Sequence, residues 1–156
     1  MANVNSWELE IPSSIPASKV FDGFVVGFFD FLDSHVFPAS LGVTFTNLQG
    51  DGGVGTIKLM SFEDDKLPSV KYKIKELDLE NFTYNMAVIE GEDDEQYELT
   101  LSEMKVIPSV DGGCTFVQKT TEYKGTDEDE TESHKEQLTQ WFKTFERTIT
   151  QDSNDD

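Results

Sequence analysis

At 156 residues the chain has room for one domain with a sizeable core and little room for two. Its formal charge of −19, from 31 acidic and 12 basic residues, sets it against nucleic-acid phosphates and anionic membranes. With 37% hydrophobic residues and 12 Phe it is too apolar to be disordered throughout, and Cys114, the lone cysteine, excludes an internal disulfide and fits a reducing compartment.

The opening MANVNSWELEIP has neither a basic start nor an apolar stretch, so no secretory signal is read there. Val4–Ile11 alternates as a strand with Trp7, Leu9 and Ile11 on one face. Pro16 behind Ser14 opens a helix. Val20, Phe21, Phe24, Val25 and Phe28 then recur at helical spacing. Gly23, Gly27 and Asp30 interrupt this run, predicting a broken pair of short helices over 16–34. The longest apolar patch, Phe21–Leu32, contains Asp22 and Asp30 and is too short to span a bilayer.

Ser40–Leu48 and Thr56–Phe62 read as strands on either side of Gln49-Gly-Asp-Gly-Gly-Val-Gly55. Gly50, Gly52 and Gly55 match the dinucleotide pattern G-x-G-x-x-G, but that pattern needs a helix to follow, and a strand follows here. No Gly-Lys-Ser/Thr closes a phosphate loop either. The run Gly50, Gly52, Gly53, Gly55 is therefore read as a mobile hairpin turn. The alternative reading is a nest of backbone N–H groups for an anion.

Val70, Tyr72 and Ile74 alternate with three lysines, and Phe82, Tyr84, Met86 and Val88 alternate with smaller residues, giving two further half-buried strands. Glu90–Glu98 is acidic without the order of a calcium loop, so a solvated hairpin is expected and no metal site. Tyr97–Ile107 is a strand whose alternation slips near Glu103, as at a bulge. Asp111-Gly-Gly113 turns into a last strand, Cys114–Tyr123. Thr126 reads as an N-cap. Leu138, Trp141, Phe142, Phe145 and Ile149 mark a long amphipathic helix, and Asp152–Asp156 a frayed tail after a single domain over 1–151. The order β, αα, six strands, α predicts an antiparallel α+β fold.

These residues resemble a known family. Ser14-Ile-Pro-Ala-Ser-Lys-Val-Phe21, Gly50-Asp-Gly-Gly-Val-Gly-Thr-Ile-Lys58 with Ser61-Phe62, Asn81-Phe-Thr-Tyr-Asn85 with Val88-Ile-Glu-Gly91, and Asp111-Gly-Gly113 with Glu122-Tyr-Lys-Gly125 are similar to the class-10 pathogenesis-related proteins of plants, the birch-pollen major allergen family. The resemblance implies a helix-grip fold: a curved seven-stranded antiparallel sheet around a long C-terminal helix, with two short helices after the first strand. It also points to a non-catalytic carrier, linked to defence or to hormone and secondary-metabolite handling, which the lone cysteine and the absent signal make cytoplasmic. Such a protein binds small amphipathic plant molecules (cytokinins, flavonoids, sterols or fatty acids) in an internal cavity. No cofactor, nucleic acid or membrane partner is expected, and the chain is expected to be a monomer or a weak dimer.

The candidate ligand-binding residues are Phe24, Phe28, Lys58, Met60, Phe62, Tyr72, Tyr84, Met86, Val88, Met104, Leu138, Trp141 and Phe142. Large mixed side chains on a concave sheet suit an apolar wall with a few polar handles. Lys58, in phase with Met60 and Phe62, would be a cationic handle. The competing reading is a fully packed core.

Two enzymatic alternatives are weaker. Norcoclaurine synthases, also similar, condense an amine with an aldehyde. Alignment by Glu122-Tyr123 puts Gln118 at their lysine position, and Thr100 and Ser102 near their Tyr and acid positions. A ribonuclease activity attributed to the family would use a loop Glu, a helix Glu and a Tyr, where this chain has Gln49, Glu146 and Thr148. The latch loops of the related abscisic-acid receptors are not visible. His35 and His134 are read as solvated, and Cys114 has no nearby His in sequence to activate it.

Overall fold

The computed structural model describes residues 5–64, 66–91, 97–123 and 128–154, with the side chains of 128–129 and 151–154 left aside. Seven strands form one antiparallel sheet: β1 (Asn5–Ser13), β2 (Thr44–Gln49), β3 (Ile57–Ser61), β4 (Val70–Asp78), β5 (Thr83–Glu90), β6 (Tyr97–Pro108) and β7 (Cys114–Glu122). Their spatial order is β1-β7-β6-β5-β4-β3-β2. β1 and β2 are neighbours in sequence yet occupy opposite edges, so the chain between them must cross the whole sheet.

It crosses as two helical segments. α1 (Ala17–Val20) widens into a π-wound turn over Phe21–Val26, the chain breaks at Gly27, and α2 (Phe28–Phe31) widens again over Leu32–Val36. The break expected at the glycines is present. The expected strand from Ser40 is not: Ala39–Leu41 is a 3-10 turn ended by Gly42 at φ +57, and β2 begins only at Thr44. α3 (Glu128–Asn154) closes the sheet's concave face, and its backbone stays helical through residues 152–154, which the sequence had assigned to a frayed tail. The N-cap expected at Thr126 and most of the acidic run Glu90–Glu98 lie outside the described residues.

The register sorts side chains into rows. Lys58, Tyr72, Val88, Thr100 and Glu122 are paired in turn across five strands. Ile74, Met86, Ser102, Thr120 and Trp7 form the next row, and Tyr84, Met104, Gln118 and Leu9 a third. Paired residues share a face, so these rows all look toward α3. The opposite face buries a smaller cluster of Ile57, Ala87 and Ile89, with Leu101 packed on it. The bulge in β6 is at Leu99, where Val88 pairs with Thr100 but Ile89 with Glu98. It is not at Glu103, which pairs regularly with Asn85 and Lys119. A bulge shifts the phase of the residues after it, so alternation alone mislocates it.

The core is aromatic. Phe24 meets Phe28, Phe31, Phe116, Phe142 and Phe145 at ring-centroid distances between 5.0 and 5.7 Å. Edge-on ring pairs of this kind add roughly 0.5–1.5 kcal/mol beyond area burial. Gly23 lets this happen: a Cβ there would stand 2.6 Å from Phe145 Cε1.

Candidate ligand cavity

The aromatic cluster fills one end of the space under α3. At the other end a cavity of about 270 Å³ remains. Trp7, Tyr72, Met86, Ser102, Met104 and Gln118 reach it from the sheet. Phe24 and Phe28 close it from the helical segments. His134, Gln137, Leu138 and Trp141 come from α3, and their i, i+3, i+4, i+7 spacing puts all four on one helical face. Leu138 is buried while His134 and Gln137 are exposed, so these two mark the mouth.

The walls are aromatic and thioether; the polar groups sit at two places. On the floor, Gln118 Nε2 donates to Thr120 Oγ1 at 3.1 Å, and the Thr120 and Ser102 hydroxyls stand 3.2 Å apart. At the mouth, Glu122, only 5% exposed, accepts from Trp7 Nε1 at 3.5 Å and lies 3.4 Å from His134 Nδ1. Asn5 Nδ2 donates to Thr131 Oγ1 at 3.1 Å nearby, a direct tie between β1 and α3. The Tyr72 ring packs on Phe29 at 4.9 Å, and burial raises its hydroxyl pKa.

Of the residues the sequence nominated, Phe24, Phe28, Tyr72, Met86, Met104, Leu138 and Trp141 line the cavity together. The others sit elsewhere. Lys58 shares a row with Tyr72, but its Nζ rests 5.2 Å above the Phe29 ring. Met60 pairs with Phe45, and Phe62 packs on Phe37 at 6.4 Å. Tyr84 is 4% exposed in the core, where burial pushes its hydroxyl up to about 12. Val88 lies in Tyr72's row yet outside the lining, beside a separate groove with Ile89 and Gly91. Phe142 is fully buried against Phe24 and Phe116.

Sequence reasoning passed over Trp7, Ser102, Gln118, His134 and Gln137. Trp7 and Gln118 were legible as inward by strand phase. His134 is not simply solvated; no sequence signal pairs it with Glu122, which lies across the fold.

The glycine loop is anchored. The N–H groups of Gly52, Gly53 and Gly55 go to Thr56 Oγ1, Asp51 Oδ1 and the Ile74 carbonyl at 2.9, 3.4 and 2.8 Å. Three donors of the supposed anion nest are thus already used inside the protein. Gly50, at φ +86, has no room for a Cβ, which would stand 2.5 Å from Thr56 Oγ1.

Glu146 accepts the Ser13 hydroxyl at 2.8 Å, and Thr148 Oγ1 donates to the Phe145 carbonyl at 2.7 Å. Among the described residues no group of three or more His, Cys, Asp or Glu side chains is placed to hold a metal ion, and no helix is long and apolar enough to cross a membrane.

Residues 2–152 match the Pathogenesis-related protein Bet v 1 family. This chain belongs to that family. A relative described as a probable intracellular pathogenesis-related protein T1 of Catharanthus roseus is 34% identical over 94% of this chain and 95% of its own length. The major strawberry allergen Fra a 1-2 of Fragaria ananassa is 33% identical over 97% of this chain and 98% of its own length. In structure, this Bet v 1-family chain is similar to Ara h 8.0201, with a TM-score of 0.75 over 96% of this chain and 99% of that one at 21% identity. It is also similar to norcoclaurine synthase from Thalictrum flavum, with a TM-score of 0.56 over 76% and 69% of the two chains at 22% identity. At these identities the two structural likenesses speak for the fold alone. The helix-grip architecture implied by the glycine loop and the V-I-E-G stretch is the one observed.

Proposed function

We propose that this protein binds a small amphipathic molecule in the cavity between sheet and α3, without turning it over. One observation carries the reading: an interior rich in Phe leaves about 270 Å³ unfilled, walled by aromatics and edged by polar groups. Apolar walls with a few converging polar groups suit a small-molecule site. The relatives' names support a defence-related setting, and the word intracellular in one of them supports the cytoplasm. Lys58, Met60, Phe62 and Val88 are not ligand contacts in this reading. The chain acts as a monomer, with no nucleic-acid or membrane partner, as its −19 charge favours.

Amine–aldehyde condensation is the weaker reading. It needs groups that move protons at the carbonyl, and the aligned positions hold Gln118, Thr100 and Ser102, none of which titrates near neutral pH. Ribonuclease action lacks its loop Glu and Tyr at Gln49 and Thr148.

Both tryptophans of the chain, Trp7 and Trp141, line the cavity, so intrinsic fluorescence reports on its contents directly. Titration with a panel of a cytokinin, a flavonoid, a sterol, a fatty acid and a hydrophobic dye is expected to give saturable quenching at one site. Ser102→Phe, which puts a ring into the space, is expected to weaken that binding at least tenfold with the circular dichroism unchanged. No saturation by any member of the panel sinks the reading.

A further inference from the structure

The two edges of the sheet are built differently. β1, at one edge, exposes Glu8, Glu10 and Pro12. Charged side chains, and a residue with no N–H to offer, keep an edge strand from pairing with another chain. β2, at the other edge, reads Thr-Phe-Thr-Asn-Leu-Gln and has neither a charge nor a proline. All of its residues are exposed except Phe45, which is half-buried. Among the described residues no backbone group outside β3 bonds to it. Its length amounts to about 20 Å of edge at roughly 3.4 Å per residue. The bulge at Leu48 interrupts this edge without closing it, since Thr44 to Asn47 pair in steady register with Ser61 to Lys58. Leu48, and Val54 in the turn that follows, stand 50% and 65% exposed.

Charge selects what pairs there. An uncharged edge on a neutral protein invites pairing between copies. Here each copy carries −19 and repels the next, so the edge stays open to a partner of opposite sign. Carboxylates stand at both of its ends. Asp51 comes just past Gln49, and Glu63-Asp-Asp-Lys66, with one lysine against three acids, comes just past Ser61, the partner of Thr44. Lys58, the cation of β3, is turned onto the Phe29 ring.

We propose that β2 takes an extended segment of a partner protein as an eighth strand of the sheet, a segment uncharged and alternately apolar in its middle and carrying Lys or Arg at both ends. Main-chain hydrogen bonds along β2 supply affinity, the apolar residues cover Phe45 and Leu48, and the flanking cations meet the carboxylates. No residue of β2 lines the cavity, so this surface is independent of the ligand-binding role.

Synthetic peptides titrated into the full-length protein at low salt, followed by fluorescence anisotropy, test it. The probes are a Thr-Val repeat between lysine pairs, the same repeat between glutamate pairs, and the lysine peptide with a central proline. The lysine peptide is expected to saturate. The glutamate peptide, repelled, and the proline peptide, short of a ladder hydrogen bond, are expected to bind about tenfold more weakly or worse. Hydrogen exchange is expected to show added protection of amides within Thr44 to Asn47 in the lysine-peptide complex and none in β1. Thr46→Lys, an exposed change that sets a cation in the middle of the edge, should weaken the lysine peptide about tenfold with the circular dichroism unchanged. The exchange measurement serves should that variant not fold. Failure of the lysine peptide to saturate overturns the proposal, and so does protection confined to β1. Equal binding of the proline peptide shows attraction by charge alone and overturns it; equal binding of the glutamate peptide removes the selection by charge and does the same. Dimers of the peptide-free protein with β2 protected assign the edge to a second copy and overturn the choice of partner.

Discussion

Cys114 opens β7 at 1% exposure, and its burial, with the Glu146 charge second, pushes the thiol up to about 11 from an ordinary 9.0. Unfolded chains release this proton near 9, whereas the folded protein holds it two units longer. Between those values the unfolded state binds fewer protons, so stability falls as pH rises. Below pH 9 the contribution is fully present. Calorimetric melting is expected to show a declining Tm from about pH 9 to 11, and Cys114→Ala should flatten part of that decline. An unchanged slope would show that the thiol is not responsible. Tyr84, up to about 12, extends the same trend further into alkali. Phe82 is the other residue whose environment decides its state. It holds a φ of +53, which a bulky residue rarely adopts. Its ring packs on Phe21 at 5.3 Å, and its carbonyl accepts the Val106 N–H at 3.0 Å. The contacts that surround this positive φ come from residues far along the chain.

Among elements, the meeting of the first helical segment with α3 sets the depth of the cavity end. Two effects compete at Gly23. Helix propensity favours Gly23→Ala by roughly 1 kcal/mol. Against it, the new methyl would stand 2.6 Å from Phe145, whose ring is 3% exposed and held by Phe24, Phe31 and Phe142. Overpacking of this kind costs roughly 1–3 kcal/mol, and with the ring unable to step aside it wins. Urea unfolding is expected to show Gly23→Ala destabilised by about 1 kcal/mol or more; a stabilised variant would mean that α3 yields. The glycine loop illustrates the converse. Its composition predicted freedom, yet Thr56, at 1% exposure, takes the Gly52 N–H, and β4 takes the Gly55 N–H. Glycine there serves tight packing as well as positive φ.

For the whole molecule, charge is the dominant long-range term. With 31 acidic against 12 basic residues, self-repulsion opposes the compact state. The described ion pairs do little to offset it: Lys75–Glu98 and Lys135–Glu132 are partly exposed, and such pairs contribute at most about 1 kcal/mol each. Raising sodium chloride from about 10 mM to about 150 mM shortens the screening length from roughly 30 Å to 8 Å. The Tm is expected to rise over that range. A fall would mean that attractive pairs, not net repulsion, govern stability.

Which residues face inward was largely legible from period-two alternation. Tyr72, Met86 and Met104 on the sheet, and Leu138 and Trp141 on α3, were nominated that way and do line the cavity. The motif combination around the glycine loop carried the fold itself. Alternation, however, reports a face and not a depth. Tyr84 and Met86 share one face of β5, yet one packs in the core and the other borders the cavity. Trp141 and Phe142 are consecutive on α3, yet Trp141 lines the cavity and Phe142 is buried against Phe116. That division depends on how far α3 stands from each strand, which is set by contacts such as Gly23 against Phe145 and Asn5 with Thr131. The chain thus determined by itself its sheet, its helices and its inner face. Only the packing of distant segments decided where the core stops and the empty space begins.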